Sequence, residues 1–347
     1  MERTLNVKII YKNFQAFGLC HIGLGVGGMM TEKVLNAHNI PTQLHGITKP
    51  SDIDAILSSG GPPVTHIIIE APWIPVDEIA KLCNKHRNTQ FIVRSHSQIA
   101  FLQVDHKAFQ LIREYGHLEE HTTNFKLAVN NKFIGNFVQE GYHKHCLFLP
   151  NLYWDDRVCI KHWRAPHNRV KCGSFGALRL QKNHTTSAGA ALILGQMFGY
   201  DIQFYMNSAR DEHTGVLNIV KDMFTEFPNI EFKTVPWQPW AKFRHHIEHL
   251  DVHFQLSATE SFNITCADAV SVGVPCVVGP AIDWLPDDWK VNIDDPMAAA
   301  IKANQLMHDP HAGAKGKAAL TKYSNEAVRI WLNYLYTNVR TMPDRFA

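Results

Sequence analysis

The sequence has no C-x-x-C pair, and its seven cysteines (Cys20, Cys83, Cys146, Cys159, Cys172, Cys266 and Cys276) are odd in number and scattered. That argues against a disulfide framework and a structural zinc site, so the thiols are expected to be reduced and mostly buried. No stretch reaches the roughly 18 uninterrupted apolar residues that would span a bilayer, and MERTLNVKIIYK has no apolar leader run after its charges. A soluble, cytoplasmic protein is the expectation. Charge of one sign is lacking too: 34 Lys and Arg stand against 32 Asp and Glu. A net charge of +2 gives no broad pull toward nucleic acid, although such a sum is blind to a local basic groove.

What is present is apolar mass: 45% of the 347 residues are hydrophobic and 19% charged, enough for a large core and about two domains. Short apolar runs alternate with longer amphipathic stretches, the pattern of βαβ units around parallel sheets. Strands are expected at Val7 to Tyr11, Gln43 to Ile47, Val64 to Glu70, Gln90 to Arg94, Phe125 to Val129 and Cys146 to Leu149. Helices are expected to start near Gly27, Ser51, Val76 and His106. This makes one doubly wound domain over 1–150. Residues 151–170, rich in Pro, Asn and charge, read as a connector. A second domain over 171–317 has strands at Lys171 to Gly176, Asp201 to Met206, Ile230 to Thr234, Val252 to Leu256 and Cys276 to Val278. Its helices are expected over Ser187 to Phe198, Thr214 to Glu226, Trp240 to His249 and Thr265 to Val272, and Ala318 to Asn338 form an amphipathic tail helix. Two such domains place a cleft between the carboxyl ends of their sheets, where open α/β folds bind ligands.

Three stretches carry candidate chemistry. Gly23-Leu24-Gly25-Val26-Gly27-Gly28 satisfies G-x-G-x-x-G before a helix-like run, so it is a candidate phosphate or sugar loop, or a structural turn. A nicotinamide dinucleotide fits less well, because the second strand ends His45-Gly46-Ile47-Thr48 with no carboxylate for the ribose. Gly173 to Asn183 is a strand running into a loop with Arg179 and Lys182, two cations able to hold an anionic diphosphate by charge-assisted hydrogen bonds. Leu256 to Pro275 reads as a strand end, a loop with Glu260, and a helix carrying Asp268 whose N–H groups add positive potential. The plain alternatives are solvated cations, a capping acid and a surface acid.

The string ESFNITCADAVSVGVPCVV resembles the E-x-F-G-x(4)-E-A-x-A-x-G-x-P-V-V signature of retaining GT-B glycosyltransferases of the group 1, glycogen-synthase-like superfamily. LFLPNLYW is similar to that family's interdomain "IPNGVD" segment and GSFGALRLQKN to its "VGRLxxxKN" strand and loop. The resemblance implies an α/β, GT-B architecture of two Rossmann-like doubly wound domains facing across a cleft, with the tail helix (318–347) returning to the first. It implies sugar transfer from a nucleotide sugar, a UDP-sugar or a GDP-sugar, without a bound metal or other cofactor. Arg179 and Lys182 would neutralise the departing diphosphate, Asp268 would accept from the ribose, and Glu260 would lie beside the donor sugar. Backbone N–H groups of Ser261, Phe262 and Asn263 would bind sugar or phosphate, Gly25, Gly27 or Gly28 would approach from the other domain, and His96 would stand near the transferred sugar. Asn263 stands where the signature has Gly, and Asp268 where it has Glu.

The acceptor is open: a soluble glycan or small molecule, a lipid reached peripherally, or nucleic acid carrying a hydroxylated base. Rival classes are a nucleotide-sugar-binding protein without transfer activity and a nicotinamide-dependent oxidoreductase. Histidine is abundant, with 21 copies; His245 and His249 are one turn apart, and His143, His145 and Cys146 form a looser group. Neither group has a clear third and fourth metal ligand by spacing, and no metal is expected. Asp52-Ile53-Asp54 reads as helix capping. Trp237 and Trp240 border a nucleotide base or close the domain.

Overall fold

The computed structural model describes residues 4–13, 22–103, 106–156, 168–209 and 214–341. The chain divides into two compact units, the first holding Met1–Trp154 and Ser324–Ala347, the second Asp155–Tyr323. Most of the connector expected over 151–170, namely 157–167, and the tail residues 342–347 lie outside the described residues.

In the first unit, β1 (Val7–Lys12), β2 (Thr42–Ile47), β3 (His66–Glu70), β4 (Gln90–Ser95), β5 (Phe125–Val129) and β6 (Leu147–Phe148) form a six-stranded sheet ordered β2-β1-β3-β4-β5-β6. Every pair is parallel. Every residue of β3 (HIIIE) and β4 (QFIVRS) is buried, as expected of strands covered on both faces, and this explains their unbroken apolar runs. Ile67, Ile69, Phe91, Val93 and Leu127 pack with Tyr115 and Phe125, each large apolar side chain contributing about 2 kcal/mol by leaving water.

The second unit has β7 (Arg169–Ser174), β8 (Asp201–Asn207), β9 (Ile230–Val235), β10 (Val252–Gln255) and β11 (Cys276–Val278) in the order β11-β10-β7-β8-β9. All of these pairs are parallel too. The chain runs outward from β7 to β9 and then returns to place β10 on the other side of β7. The point where strand order reverses therefore lies between β7 and β10, and in the first unit between β1 and β3. At such points the loops leaving neighbouring strands diverge to opposite faces and open a crevice at the carboxyl ends.

Two expectations need correction. The glycines do not form a loop: Gly25, Gly27 and Gly28 sit inside the helix Ile22–Ala37. Only the first turn of a helix leaves N–H groups without helical partners, so the amides of Gly27 and Gly28 are spent on the helix ladder. Gly28 is instead a close-packing site, where an added Cβ would meet Leu44 Cδ1 at 2.6 Å. The second correction is the helix Pro296–His308, which no apolar periodicity announced. Its start signals are local: Asp295 Oδ1 caps Ala298 N at 2.8 Å, and Pro296 takes the first position, where a missing N–H costs nothing.

Candidate functional site

The loop after β7 is built from the strand end outward. Ser174 Oγ lies 2.9 Å from His184 Nδ1, and His184 Nε2 faces Ala177 O at 3.3 Å, which pins the first residue of the helix His184–Phe198 to the loop before it. Burial pushes His184 down to about 4, with the Ala177 carbonyl opposing and Lys182 adding to the shift, so the ring is neutral at pH 7. Gly176 takes φ 139°, a left-handed conformation suited to glycine, and its N–H donates to Asn207 Oδ1 at 2.9 Å. Arg179, half-buried, leads into a single 3-10 turn, Leu180–Lys182, and Asn183 closes the turn at φ 52°.

The loop after β10 meets it. Ala258 N donates to Gln181 O at 2.8 Å, and the Lys182 ammonium pairs with Glu260 Oε1. Asn263 Nδ2 also donates to Glu260 Oε1, at 3.0 Å, and to Gln255 Oε1, at 2.8 Å. Its Oδ1 caps the helix Ile264–Ser271 by accepting from Cys266 N at 3.0 Å. Lys182, Glu260 and Asn263 are thus brought together at the β7/β10 reversal, with Arg179 three residues before Lys182 on the same loop. Ser261 is half-buried. Phe262 is buried, stacked against Trp284 at 5.5 Å and Tyr323 at 4.9 Å in a cluster of three mutually touching rings, and its carbonyl accepts from Trp284 Nε1 at 2.6 Å.

Asp268 is not the open acceptor the sequence suggested. It is 1% exposed, and its Oδ1 accepts from Trp240 Nε1 at 2.9 Å. The cause is the helix Ile264–Ser271, whose Cys266 to Ser271 are all buried. Trp240 therefore closes the domain, with Arg244 over its ring at 4.5 Å, while Trp237 is half-buried in the loop after β9.

His96 follows β4 in the first unit, in a polar network that the sequence did not disclose. Arg94 grips Glu70 through two bonds of 3.0 and 2.9 Å, and both side chains are wholly buried. Arg94 Nη1 donates to Leu149 O at 3.1 Å and to Asn151 Oδ1 at 3.0 Å, and Trp331 Nε1 donates to Pro150 O at 2.7 Å. The Glu70 carboxylate accepts from His96 Nε2, and His96 Nδ1 faces Asn130 Nδ2 at 3.3 Å, so both ring nitrogens address protein groups. Burial alone would raise Glu70, but Arg94 and then His96 outweigh it and bring it to about 2. Burial first, then Arg94, lowers His96 against the opposing pull of Glu70.

Among the described residues, two groups have cation-ligating atoms within 4.8 Å of one another: the exposed His245 and His249 with the half-buried Glu248, and the buried His253, Cys266 and Cys276. Glu248 supplies the third member that sequence spacing did not reveal. In the buried group, Gln255 Nε2 donates to Phe175 O at 2.6 Å and faces His253 Nε2 at 3.2 Å. The His253 proton therefore sits on Nδ1, 3.8 Å from Cys276 Sγ, and the cluster is accounted for as hydrogen bonds. His145 of the looser group pairs with Glu119 at 2.8 Å.

No protein-family model and no curated protein matches the sequence. Solved structures do. Sucrose-phosphate synthase from Thermosynechococcus elongatus superposes with TM-score 0.66 at 13% identity, over 96% of this chain and 99% of that one. Anabaena HepE, solved with UDP and glucose, gives 0.64 at 12% identity, over 96% and 99%. A mutant of S. aureus TarM in complex with fondaparinux, alpha-GlcNAc-glycerol and UDP gives 0.61 at 13% identity over 82% of this chain; the match spans only 58% of TarM's own length. At such identities the likeness establishes the fold, which is GT-B.

Proposed function

We propose that the chain is a glycosyltransferase that moves a sugar from a nucleotide sugar to an acceptor hydroxyl, retaining anomeric configuration and using no metal. The observation that carries this reading is the cluster at the β7/β10 reversal. Arg179 and Lys182 leave one strand, Glu260 and Asn263 leave its neighbour, and a backbone bond from Ala258 to Gln181 ties the loops. A diphosphate gains charge as it departs, so cations already held in place stabilise the transition state more than the ground state. In this reading Glu260, at 10% side-chain exposure and paired with Lys182, accepts from donor-sugar hydroxyls. UDP is the first nucleotide to test, because TarM and HepE were each solved with UDP. Buried under Trp240, Asp268 is assigned to holding the helix Ile264–Ser271 rather than to the ribose. His96 is assigned to the first unit's acceptor side, held in one tautomer by Glu70 and Asn130.

The test is calorimetric titration with UDP, GDP and NAD, followed by assay of sugar release from UDP-glucose, UDP-N-acetylglucosamine and GDP-mannose with EDTA present. Acceptor trials on sugars, lipid vesicles and hydroxymethylated DNA come next. Binding of UDP or GDP, abolished by Lys182→Ala with Arg179→Ala, supports the reading. Binding of NAD alone would sink it, and nucleotide binding without release of sugar to any acceptor would leave a binding protein.

A further inference from the structure

Asn263 does more than the turn beneath it requires. Its backbone lies at φ 64°, ψ 87°, a region that glycine enters freely and where the related signature carries Gly, so the turn itself needs no side chain. Yet both polar atoms of this side chain are used. Oδ1 accepts from the backbone N–H of Cys266 at 3.0 Å and from Thr265 Oγ1 at 2.8 Å, which fixes which end of the amide is oxygen. Nδ2 then faces the other way with two hydrogens and two acceptors: Gln255 Oε1 at 2.8 Å and Glu260 Oε1 at 3.0 Å. Gln255 is itself 2% exposed, and its Nε2 donates to Phe175 O at 2.6 Å.

We infer that Asn263 is a positioning residue for Glu260, and the inference rests on the nucleotide-sugar reading above. It carries a rigid connection from the core strand β10, through Gln255, to the carboxylate that restrains Lys182. The amide adds a core-anchored donor to Glu260 Oε1, beside the ammonium at the end of the long Lys182 side chain. With it, Glu260 Oε1 is tied to a buried side chain of β10, and the ammonium is held where the departing diphosphate would gain charge. The helix cap on Cys266 is a separate job of the same side chain, carried by Oδ1 alone, and that separation makes the two roles testable apart.

The comparison is wild type, Asn263→Asp and Asn263→Gly. Aspartate keeps the capping oxygen and tolerates the left-handed backbone but replaces the donor to Glu260 with a carboxylate oxygen that repels it; glycine removes both cap and donor without adding charge. The readouts are the Kd for UDP or GDP and kcat for hydrolysis of whichever donor wild type cleaves among UDP-glucose, UDP-N-acetylglucosamine and GDP-mannose. In that hydrolysis the bond from sugar C1 to the diphosphate oxygen breaks and its electron pair leaves with the nucleotide. Water oxygen bonds C1 and its proton passes to buffer. Positioning predicts that both variants lose about tenfold or more in kcat while nucleotide Kd changes by less than about threefold. A capping role alone predicts an Asp variant like wild type and an impaired Gly variant, and that pattern would overturn the inference. Should the Asp variant not fold, the Gly variant decides: wild-type kcat in a folded Asn263→Gly protein overturns it equally. A wild-type protein that binds neither nucleotide and cleaves none of the three donors is a different failure, that of the nucleotide-sugar reading, and this inference falls with it.

Discussion

The carbonyl of Gln181 accepts the N–H of Ala258 at 2.8 Å, so the loop that carries Lys182 and the loop that carries Glu260 are joined through the backbone. Side chains on these loops can therefore change without the loops separating. Lys182→Ala and Arg179→Ala should lower kcat by about 100-fold each, the scale for removing a preorganised charge partner of a leaving group. Lys182→Ala should also cost about 1–2 kcal/mol of stability, because it leaves Glu260 without its cation. Steady-state kinetics beside urea denaturation separates the two effects. A Lys182→Ala protein whose turnover falls no more than its stability explains would argue against the assignment.

Trp240 and Asp268 give an opposite pattern. Trp240→Phe removes the only hydrogen-bonding atom of the indole, the donor to a carboxylate that is 1% exposed, and should destabilise the second unit by about 1–3 kcal/mol. Asp268→Asn in that background should restore part of the loss by removing the charge. Nucleotide affinity of the folded fraction should hardly change, a result calorimetry can check. A large loss of affinity with little loss of stability would return Asp268 to the ribose.

The glycines of the helix Ile22–Ala37 separate packing from binding. Among the described residues, an added Cβ at Gly27 meets nothing within 4 Å, so Gly27→Ala should stabilise by about 0.5–1 kcal/mol through a less mobile unfolded chain. Gly28→Ala should destabilise, since its Cβ would press on Leu44 at 2.6 Å. Thermal denaturation of both variants measures this, and neither should alter nucleotide Kd.

Buried histidine makes stability depend on pH. Burial lowers His66 from 6.5 to about 4. Its folded-state value lies below the unfolded one, so its contribution is complete above about pH 6.5 and is lost as pH falls toward 4. Among the described residues, its Nε2 is buried without a hydrogen-bond partner. His66→Leu should therefore raise the melting temperature more at pH 5 than at pH 8. An equal shift at both values would show that His66 does not titrate on unfolding. Glu70, held at about 2 by Arg94 and His96 against burial, adds a further loss from about pH 4.5 downward.

Much of the sheet was legible because buried parallel strands are unbroken apolar runs: β5 and β11 lie where FKLAV and CVV placed them, residue for residue. The helix Pro296–His308 escaped because PMAAAIKANQLMH carries alanine on several faces and shows no stripe, although Asp295 and Pro296 mark its start. Lys182 and Glu260 could be singled out by motif, and the structure brings them together. Their support could not be seen. Gln255 and His253 look like interruptions in a strand, and Glu70, Arg94, Asn130 and Asn151 are single polar residues at strand ends. A buried network has no local period, since its members are joined by the fold rather than by spacing. The burial of Asp268 could not be seen either, because motif position carries no information about burial.

The first unit is discontinuous, and that has a consequence for how the protein is made. Trp331 and Leu335, both fully buried, belong to it, and the Trp331 indole is bonded to Pro150 O beside Arg94. A ribosome will have released all of Asp155–Tyr323 before these residues emerge, so the later-starting unit can finish its core first. The earlier-starting one must wait, its sheet exposed, for the helix Ala312–Thr341 that carries Trp331. A fragment ending at Trp154 should accordingly be prone to aggregate, and supplying that helix as a separate peptide should rescue it.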